Sequence, residues 1–243
     1  MVKFGLVGRN ISYSFSKGYF GRKFSELGLA GYSYENFDLE QISDFPLILK
    51  QNPGLRGLNV TIPYKEAIIP FLGQLDPEAA KIRAVNTIKI SAAGLTGHNT
   101  DIYGFHRALE PRLLPHHKRA LILGTGGASK AVAYVLRQLG IEFLYVSRSP
   151  GAGQFSYHEL SHEVIGSHPV IINTTPLGTY PDITARPHIP YEHLSSIHLL
   201  FDLIYNPAKT SFLLGGEQQG AQIENGLKML EFQAEKAWEI WNS

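Results

Sequence analysis

Ala120-Leu121-Ile122-Leu123-Gly124-Thr125-Gly126-Gly127-Ala128-Ser129 is the stretch whose reading decides the fold. Four apolar residues make a short buried strand, and the glycines after them end it. A helical pattern continues through Leu139, and 142–146 reads as the next strand. Strand, glycine turn, helix and strand in about thirty residues is the context a dinucleotide-binding fingerprint requires. Gly124, Gly126 and Gly127 let the backbone approach a pyrophosphate. With Ala128 they open a helix whose N-terminus offers N–H groups and a favourable dipole. Ser129 takes the third fingerprint position, where Gly or Ala is usual.

The end of the following strand, Ser147-Arg148-Ser149, carries no acid. An acid there would hold the ribose hydroxyls of NAD, whereas arginine accommodates a 2′-phosphate, so the pattern favours NADP. A surface arginine at a strand end is the other reading of Arg148. Six residues separate Arg148 from Phe155, too few for a helical crossover, so a short loop replaces the usual helix. Further on, the pattern predicts a helix over 157–165, strands over 170–173 and 199–204, and a helix over 209–219. Thr174 opens the loop after the first of these strands, and Tyr205-Asn206-Pro207 is a turn after the second. A last helix from about Gly226 would put Leu227, Leu230, Ala234, Trp238 and Trp241 on one face.

Before Pro111 and Pro115, which bracket a linker, strands and helices also alternate. Strands are expected over 2–7, 32–37 and 84–90. Helices are expected over 17–27, with Ser16 as its cap, and over 42–49, 65–71, 77–82 and 101–109, the last entered through a polar loop. The result is an α/β chain of two domains. Within the first, Gly57-Leu58-Asn59-Val60-Thr61-Ile62-Pro63-Tyr64-Lys65 alternates as a half-buried strand and then meets a proline suited to a helix start. An amide, a hydroxyl and an ammonium thus gather at one junction. A lysine in a first helical turn is a candidate for proton transfer, and a solvated lysine is the plainer reading.

Composition narrows the function classes. The chain has 243 residues, 44% apolar and 18% charged, with a net charge of +1 and no cysteine. Disulfides and thiolate metal sites are excluded. No basic block is long enough to attract nucleic acid or an anionic membrane, and no apolar run approaches a membrane span. A cytoplasmic enzyme or binding protein is the expectation. His158-Glu159-Leu160-Ser161-His162 matches a zinc pattern, but no third ligand follows at suitable spacing and the segment falls within the nucleotide domain, so no metal is expected.

Several separated segments together resemble the shikimate dehydrogenase family. Residues 57–65 are similar to its G-x-N-V-T-x-P-(Y or F)-K signature, and Ser14-x-Ser16 to its S-x-S loop. Ala84-Val85-Asn86-Thr87, Asn99-Thr100-Asp101-x-x-Gly104, the glycine loop, Asn173-Thr174-Thr175-Pro176-x-Gly178 and Asn225-Gly226-Leu227-x-Met229-Leu230-x-x-Gln233 follow in the family's order. The resemblance implies an N-terminal α/β substrate domain (1–101 with 225–243, through a returning C-terminal helix) and a Rossmann-like NADP-binding domain (102–224). It implies NADPH-dependent reduction of 3-dehydroshikimate to shikimate, with Lys65 as acid–base group and Asp101 as its partner. Ser14, Ser16 and Tyr205 match the family's carboxylate binders, and Asn59, Thr61, Asn86 and Gln233 its hydroxyl binders. Gly124, Gly126, Gly127, Ala128, Ser147, Arg148, Ser149, Thr174 and Gly226 fall on the cofactor side. A small-molecule substrate and a monomer or homodimer are expected. Taken singly, these residues also read as caps, turn formers or core groups. An NAD-linked quinate or shikimate dehydrogenase, or a non-enzymatic nucleotide-binding regulator, is the alternative. The chain departs from the family pattern at Arg9-Asn10, Tyr13, Lys17, Arg83 and Thr179, and in the missing helix after Arg148 with its second basic residue.

Overall fold

The computed structural model describes residues 1–12 and 14–243, so Tyr13 lies outside the described residues. Two compact units form: Met1–Thr100 with Ala234–Ser243, and Asp101–Gln233.

The first unit contains β1 (Val2–Gly8), α1 (Phe15–Glu26), β2 (Tyr32–Asp38), α2 (Phe45–Gln51), β3 (Leu55–Val60), β4 (Gln74–Leu75), α3 (Pro77–Ile82), β5 (Thr87–Ser91) and β6 (Gly94–His98). Its sheet runs in the order β2-β1-β3-β5-β6-β4. β1 is parallel to β2 and β3, while β5 is antiparallel to both β3 and β6. The carboxyl ends of β1, β3 and β6 and the amino end of β5 therefore share one edge. Alternation along β1 feeds two cores. Phe4 and Leu6 join Phe20, Phe24, Tyr34, Ala237 and Trp241, whereas Val7 joins Leu58, Val60, Ile68 and Ile88.

Next come α4 (Thr100–Leu109), β7 (Arg119–Leu123), α5 (Gly127–Gln138), β8 (Glu142–Ser147), β9 (Phe155–Ser156), α6 (His162–Ser167), β10 (Val170–Asn173), β11 (Leu199–Asp202), α7 (Ser211–Glu217), β12 (Gln222–Glu224) and α8 (Leu227–Asn242). The sheet of the second unit is parallel throughout, in the order β12-β11-β10-β7-β8-β9. That is the doubly wound order, whose switch point lies between β7 and β10. Among the described residues no helix is long and apolar enough to cross a membrane.

Several expected elements differ. No helix spans 65–71. The Lys65 carbonyl accepts from Val85 N (2.7 Å) and Ile69 N turns back to Glu66 O, leaving a 3-10 turn at Ile69–Phe71. No helix dipole therefore acts at Lys65. The cap of α1 is Ser14, which accepts from Lys17 N at 3.3 Å, and Ser16 lies inside the helix. The loop read before Asp101 is strand β6, and β5 starts three residues late. The helix expected over 157–165 is broken: Tyr157–Glu159 is a 3-10 turn, and Ser161 caps a fresh start at His162. His158 and His162 therefore share no helix. Along α8, Leu227 is exposed, and Met229, Gln233, Ala234, Ala237 and Trp241 are the buried positions. Arg83 ends α3 in the left-handed region (φ 53°), where a glycine avoids a penalty of roughly 1 kcal/mol.

The last turns of α8 close the first unit. Trp241 Nε1 donates to Ile88 O (3.0 Å), its ring stacks on Phe4 (4.7 Å), and Glu235 pairs with Lys23 (2.6 Å). Gly57 lies under that indole, and a Cβ there would sit 2.2 Å from the ring. This contact explains why the signature stretch begins with glycine. Gly57→Ala is expected to cost about 3 kcal/mol by overpacking. Urea unfolding measures it, and an unchanged midpoint would contradict the contact.

Candidate active site

In the first unit the strand ends bring short polar side chains together at the shared edge. Asn59 is the next-to-last residue of β3, with its amide buried. It donates to Asn86 O (3.3 Å) and Thr87 Oγ1 (3.2 Å) and accepts from Tyr34 Oη (2.8 Å). Both amide hydrogens are committed to protein groups, so Asn59 helps to set the shape of the site, and its side-chain oxygen keeps a second lone pair with which it can accept. The Asn86 side-chain oxygen accepts from Thr100 N (2.7 Å) and lies within reach of the Thr87 and Thr100 hydroxyls (3.1 and 3.2 Å). Asn99 Nδ2 donates to Ala84 O (2.9 Å). The backbone follows the same plan: Val60 N donates to Asn86 O, and Val85 N to Lys65 O. Residues 84–87 thus hold the backbone of Lys65 on one side and Thr100, the residue before Asp101, on the other.

Tyr34 extends the cluster. Its phenol is pushed well above the usual range by burial, partly opposed by the Ser16 hydroxyl beside it. Sequence patterning gave no sign of Tyr34, which reads as one more strand aromatic. Ser14 spends an oxygen lone pair on capping α1, and its hydroxyl hydrogen remains to donate. Thr61 is half-buried, with its methyl against Gly8.

In the second unit, buried Asp101 lies in the first turn of α4 and buried Gln233 lies on α8. A Cβ on Gly104 would fall 2.5 Å from Met229 O and 3.0 Å from Gln233 Cβ. The glycine of the N-T-D-x-x-G element therefore lets the two helices cross closely, beside the first turn of α4. Tyr205 follows β11, its hydroxyl pushed up by burial.

The residues that could hold a dinucleotide line the switch point. Gly124 leaves β7 at φ 105°, and a Cβ there would meet Thr174 Oγ1 at 2.9 Å. Thr174 Oγ1 donates to Leu123 O (2.7 Å), so its hydroxyl fixes the loop. Gly126 caps α5 with open space where a Cβ would project, and Gly127 and Ala128 are the first helical residues. This is a cradle that phosphate can enter. Ser129 Oγ donates to Gly126 O (2.7 Å) and faces the Tyr145 hydroxyl, tying the loop to β8. Ser147, Arg148 and Ser149 stand at the end of β8, and Ser149 N donates to Ser147 Oγ. Gly226 lies against Leu203, where a Cβ would come within 2.1 Å of the carbonyl oxygen. Close packing is thus reason enough for glycine there. Among the described residues no group of three or more His, Asp or Glu could hold a metal.

A second hub was not legible beforehand. Asp202, fully buried at the end of β11, accepts from Asn173 Nδ2 (3.0 Å), Ile204 N (3.1 Å) and Thr210 Oγ1 (2.6 Å). Asn173 Oδ1 in turn accepts from Thr175 N and Oγ1. Burial raises the Asp202 carboxyl to about 6, against the lowering effect of these hydrogen bonds.

A doubly wound parallel sheet with a glycine loop at its switch point, continuous with a second α/β unit, defines the class: a dinucleotide-fold α/β protein with an added α/β unit. The model of the shikimate dehydrogenase substrate binding domain matches residues 6–88. The shikimate dehydrogenase (NADP(+)) of Caldicellulosiruptor saccharolyticus is 36% identical over 257 residues, covering 99% of this chain and 92% of that one. Two crystal structures superpose with a TM-score of 0.87. Shikimate dehydrogenase 1 from Peptoclostridium difficile is 37% identical, covering 100% of this chain and 92% of that one. The Thermus thermophilus enzyme in complex with NADP(H) and shikimate is 33% identical, covering 99% and 93%. The chain belongs to the shikimate dehydrogenase family.

Between about pH 4 and 6 the folded chain keeps on Asp202 a proton that the unfolded chain has lost. The contribution of this group to stability therefore falls as pH rises through that window, by roughly 3 kcal/mol. Carboxyl NMR is expected to place the Asp202 midpoint near 6; a midpoint at an ordinary carboxylate value would refute the assignment.

Proposed function

We propose that this chain catalyses the reversible NADPH-dependent reduction of 3-dehydroshikimate to shikimate. The single observation that carries the reading is the arrangement around residues 84–87, where one short segment holds the backbone of Lys65 and the residue preceding Asp101. Near full-length similarity to NADP-dependent shikimate dehydrogenases supplies the substrate and the coenzyme.

NADPH, when bound, supplies hydride to the ketone carbon. Charge then develops on the ketone oxygen, and Lys65 donates the proton that quenches it. Asp101 orients the ammonium and accepts a hydrogen bond from the neighbouring substrate hydroxyl. Ser14, Ser16 and Tyr205 bind the ring carboxylate. Asn59, Thr61, Asn86 and Gln233 bind ring hydroxyls, and Asn59 also holds Thr87 and the Asn86 backbone in place. Gly124, Gly126, Gly127 and Ala128 receive the pyrophosphate, with Thr174 and Gly226 shaping the loop and helix beside it. Arg148, flanked by Ser147 and Ser149, pairs with the 2′-phosphate, and the absence of an acid at that strand end favours NADP over NAD. The reading carries with it a cytoplasmic enzyme acting on small molecules.

Following NADPH absorbance with 3-dehydroshikimate tests the central role. Lys65→Ala is expected to lower kcat roughly a thousandfold, with a much smaller change in KM. Undiminished turnover would remove Lys65 from proton transfer.

A further inference from the structure

The connection after β8 makes no helix, and what it builds in place of one has a use. β9 pairs directly with β8 in parallel, setting Phe155 beside Val146 and Ser156 beside Ser147. The next residue on each strand is Tyr157 and Arg148, so the two leave the carboxyl edge of the sheet side by side. The guanidinium acts electrostatically on the Tyr157 hydroxyl, which burial pushes up. Two features fix the tyrosine. Its ring packs against the apolar cluster of the second unit. Its backbone opens a turn closed by a reciprocal cap, in which Glu159 Oε2 accepts from Ser156 N and Oγ, both at 2.7 Å. Glu159, the acid nearest Tyr157 in sequence, is thereby engaged by Ser156, and Glu142 pairs with Arg119. Among the described residues no carboxylate pairs with Arg148 and no hydrogen bond occupies the Tyr157 hydroxyl.

An unpaired arginine beside an uncommitted, immobilised hydroxyl is a receptor for a phosphate monoester. The arginine offsets only part of a charge of about −1.5 to −2, and the remaining oxygens need donors. The end of β8, next to the glycine-loop strand, is where the adenosine ribose of a dinucleotide falls in this fold. We propose that Tyr157 is a specificity-determining residue for the coenzyme, its hydroxyl donating to the 2′-phosphate that Arg148 neutralises. This rests on the NADP reading above. The shortened connection is what supplies the tyrosine, since a helical crossover would carry the chain away from Arg148 before β9 began.

Calorimetric titration of the full chain tests it, using NADPH, NADH, adenosine 2′,5′-bisphosphate and adenosine 5′-monophosphate against wild type, Tyr157→Phe and Arg148→Ala. Loss of a hydrogen bond to a charged group is expected to weaken NADPH and the bisphosphate roughly tenfold in Tyr157→Phe, with NADH and the monophosphate within about twofold. Unchanged binding of all four ligands, or equal weakening of all four, would overturn the role of Tyr157. If Arg148→Ala discriminates between the phosphorylated and unphosphorylated ligands while Tyr157→Phe does not, the tyrosine alone is removed. If Arg148→Ala does not discriminate either, the 2′-phosphate site itself is wrong and the proposal falls with it.

Discussion

The buried side-chain oxygen of Asn86 is the point on which the polar edge of the first unit depends. It takes the backbone N–H of Thr100 and faces two hydroxyls, one from the start of β5 and one from the start of α4. Leaving buried donors without it would cost roughly 1 to 3 kcal/mol each, so the cluster is either complete or expensive. Completeness is what makes the edge rigid. Asn59 secures β3 to β5, Asn86 secures β5 to the start of α4, and Val85 secures the turn that carries Lys65. A side chain whose flexible stem begins from so constrained a backbone loses less freedom when it meets a ligand.

The second unit repeats the device with a carboxylate. Asp202 gathers the loops after β10 and β11 and, through Thr210, the cap of α7. Those loops stand at the carboxyl edge of a parallel sheet, where the fold places ligands. Both units therefore use a buried acceptor to hold loops that backbone ladders cannot reach. The difference in charge matters: an amide is indifferent to pH, whereas a buried carboxyl is not.

What was legible in the sequence was local. The strand, glycine loop and helix of 120–139 depend on neighbours within a few residues, and they read correctly, as did the loop that replaces the helix after Arg148. The helix expected over 157–165 is broken by its own local caps, but other misreadings have their cause in distant partners. The 65–71 pattern looks helical until Val85 takes the carbonyl of Lys65. Ser16 looks like a cap, yet it lies inside α1, where Tyr34 from β2 faces its hydroxyl. Strands as short as β4 and β12 have too few residues to show a period. Tyr34 and Asp202 look like ordinary strand residues, because their roles are set by partners that only the folded chain supplies. The glycines of the matched segments have a packing reason that the fold makes plain: at Gly57, Gly104 and Gly226 another group occupies the volume of a Cβ.

The missing crossover explains a feature of β8 that its sequence alone does not. A strand inside a parallel sheet is ordinarily covered on both faces, yet Phe143 and Tyr145 are only half-buried while the alternating residues of β7 are fully so. Right-handed connections put the helices after β7 and after β8 on the same face, so deleting the second uncovers the face that α5 alone must then shield. The exposed side is managed with amphipathic groups. The rings of Phe143 and Tyr145 meet edge to face at 5.5 Å, Arg137 lies over Phe143 at 5.0 Å, and the Tyr145 hydroxyl turns to Ser129. Arginine and tyrosine can cover apolar surface while keeping a polar end in water, which makes them the residue types able to close a sheet face that has lost its helix. That same Ser129 anchors the glycine loop, so the residue at the unusual fingerprint position joins the uncovered face to that loop. The departure in the glycine loop and the departure in the crossover are thus two parts of one structural accommodation.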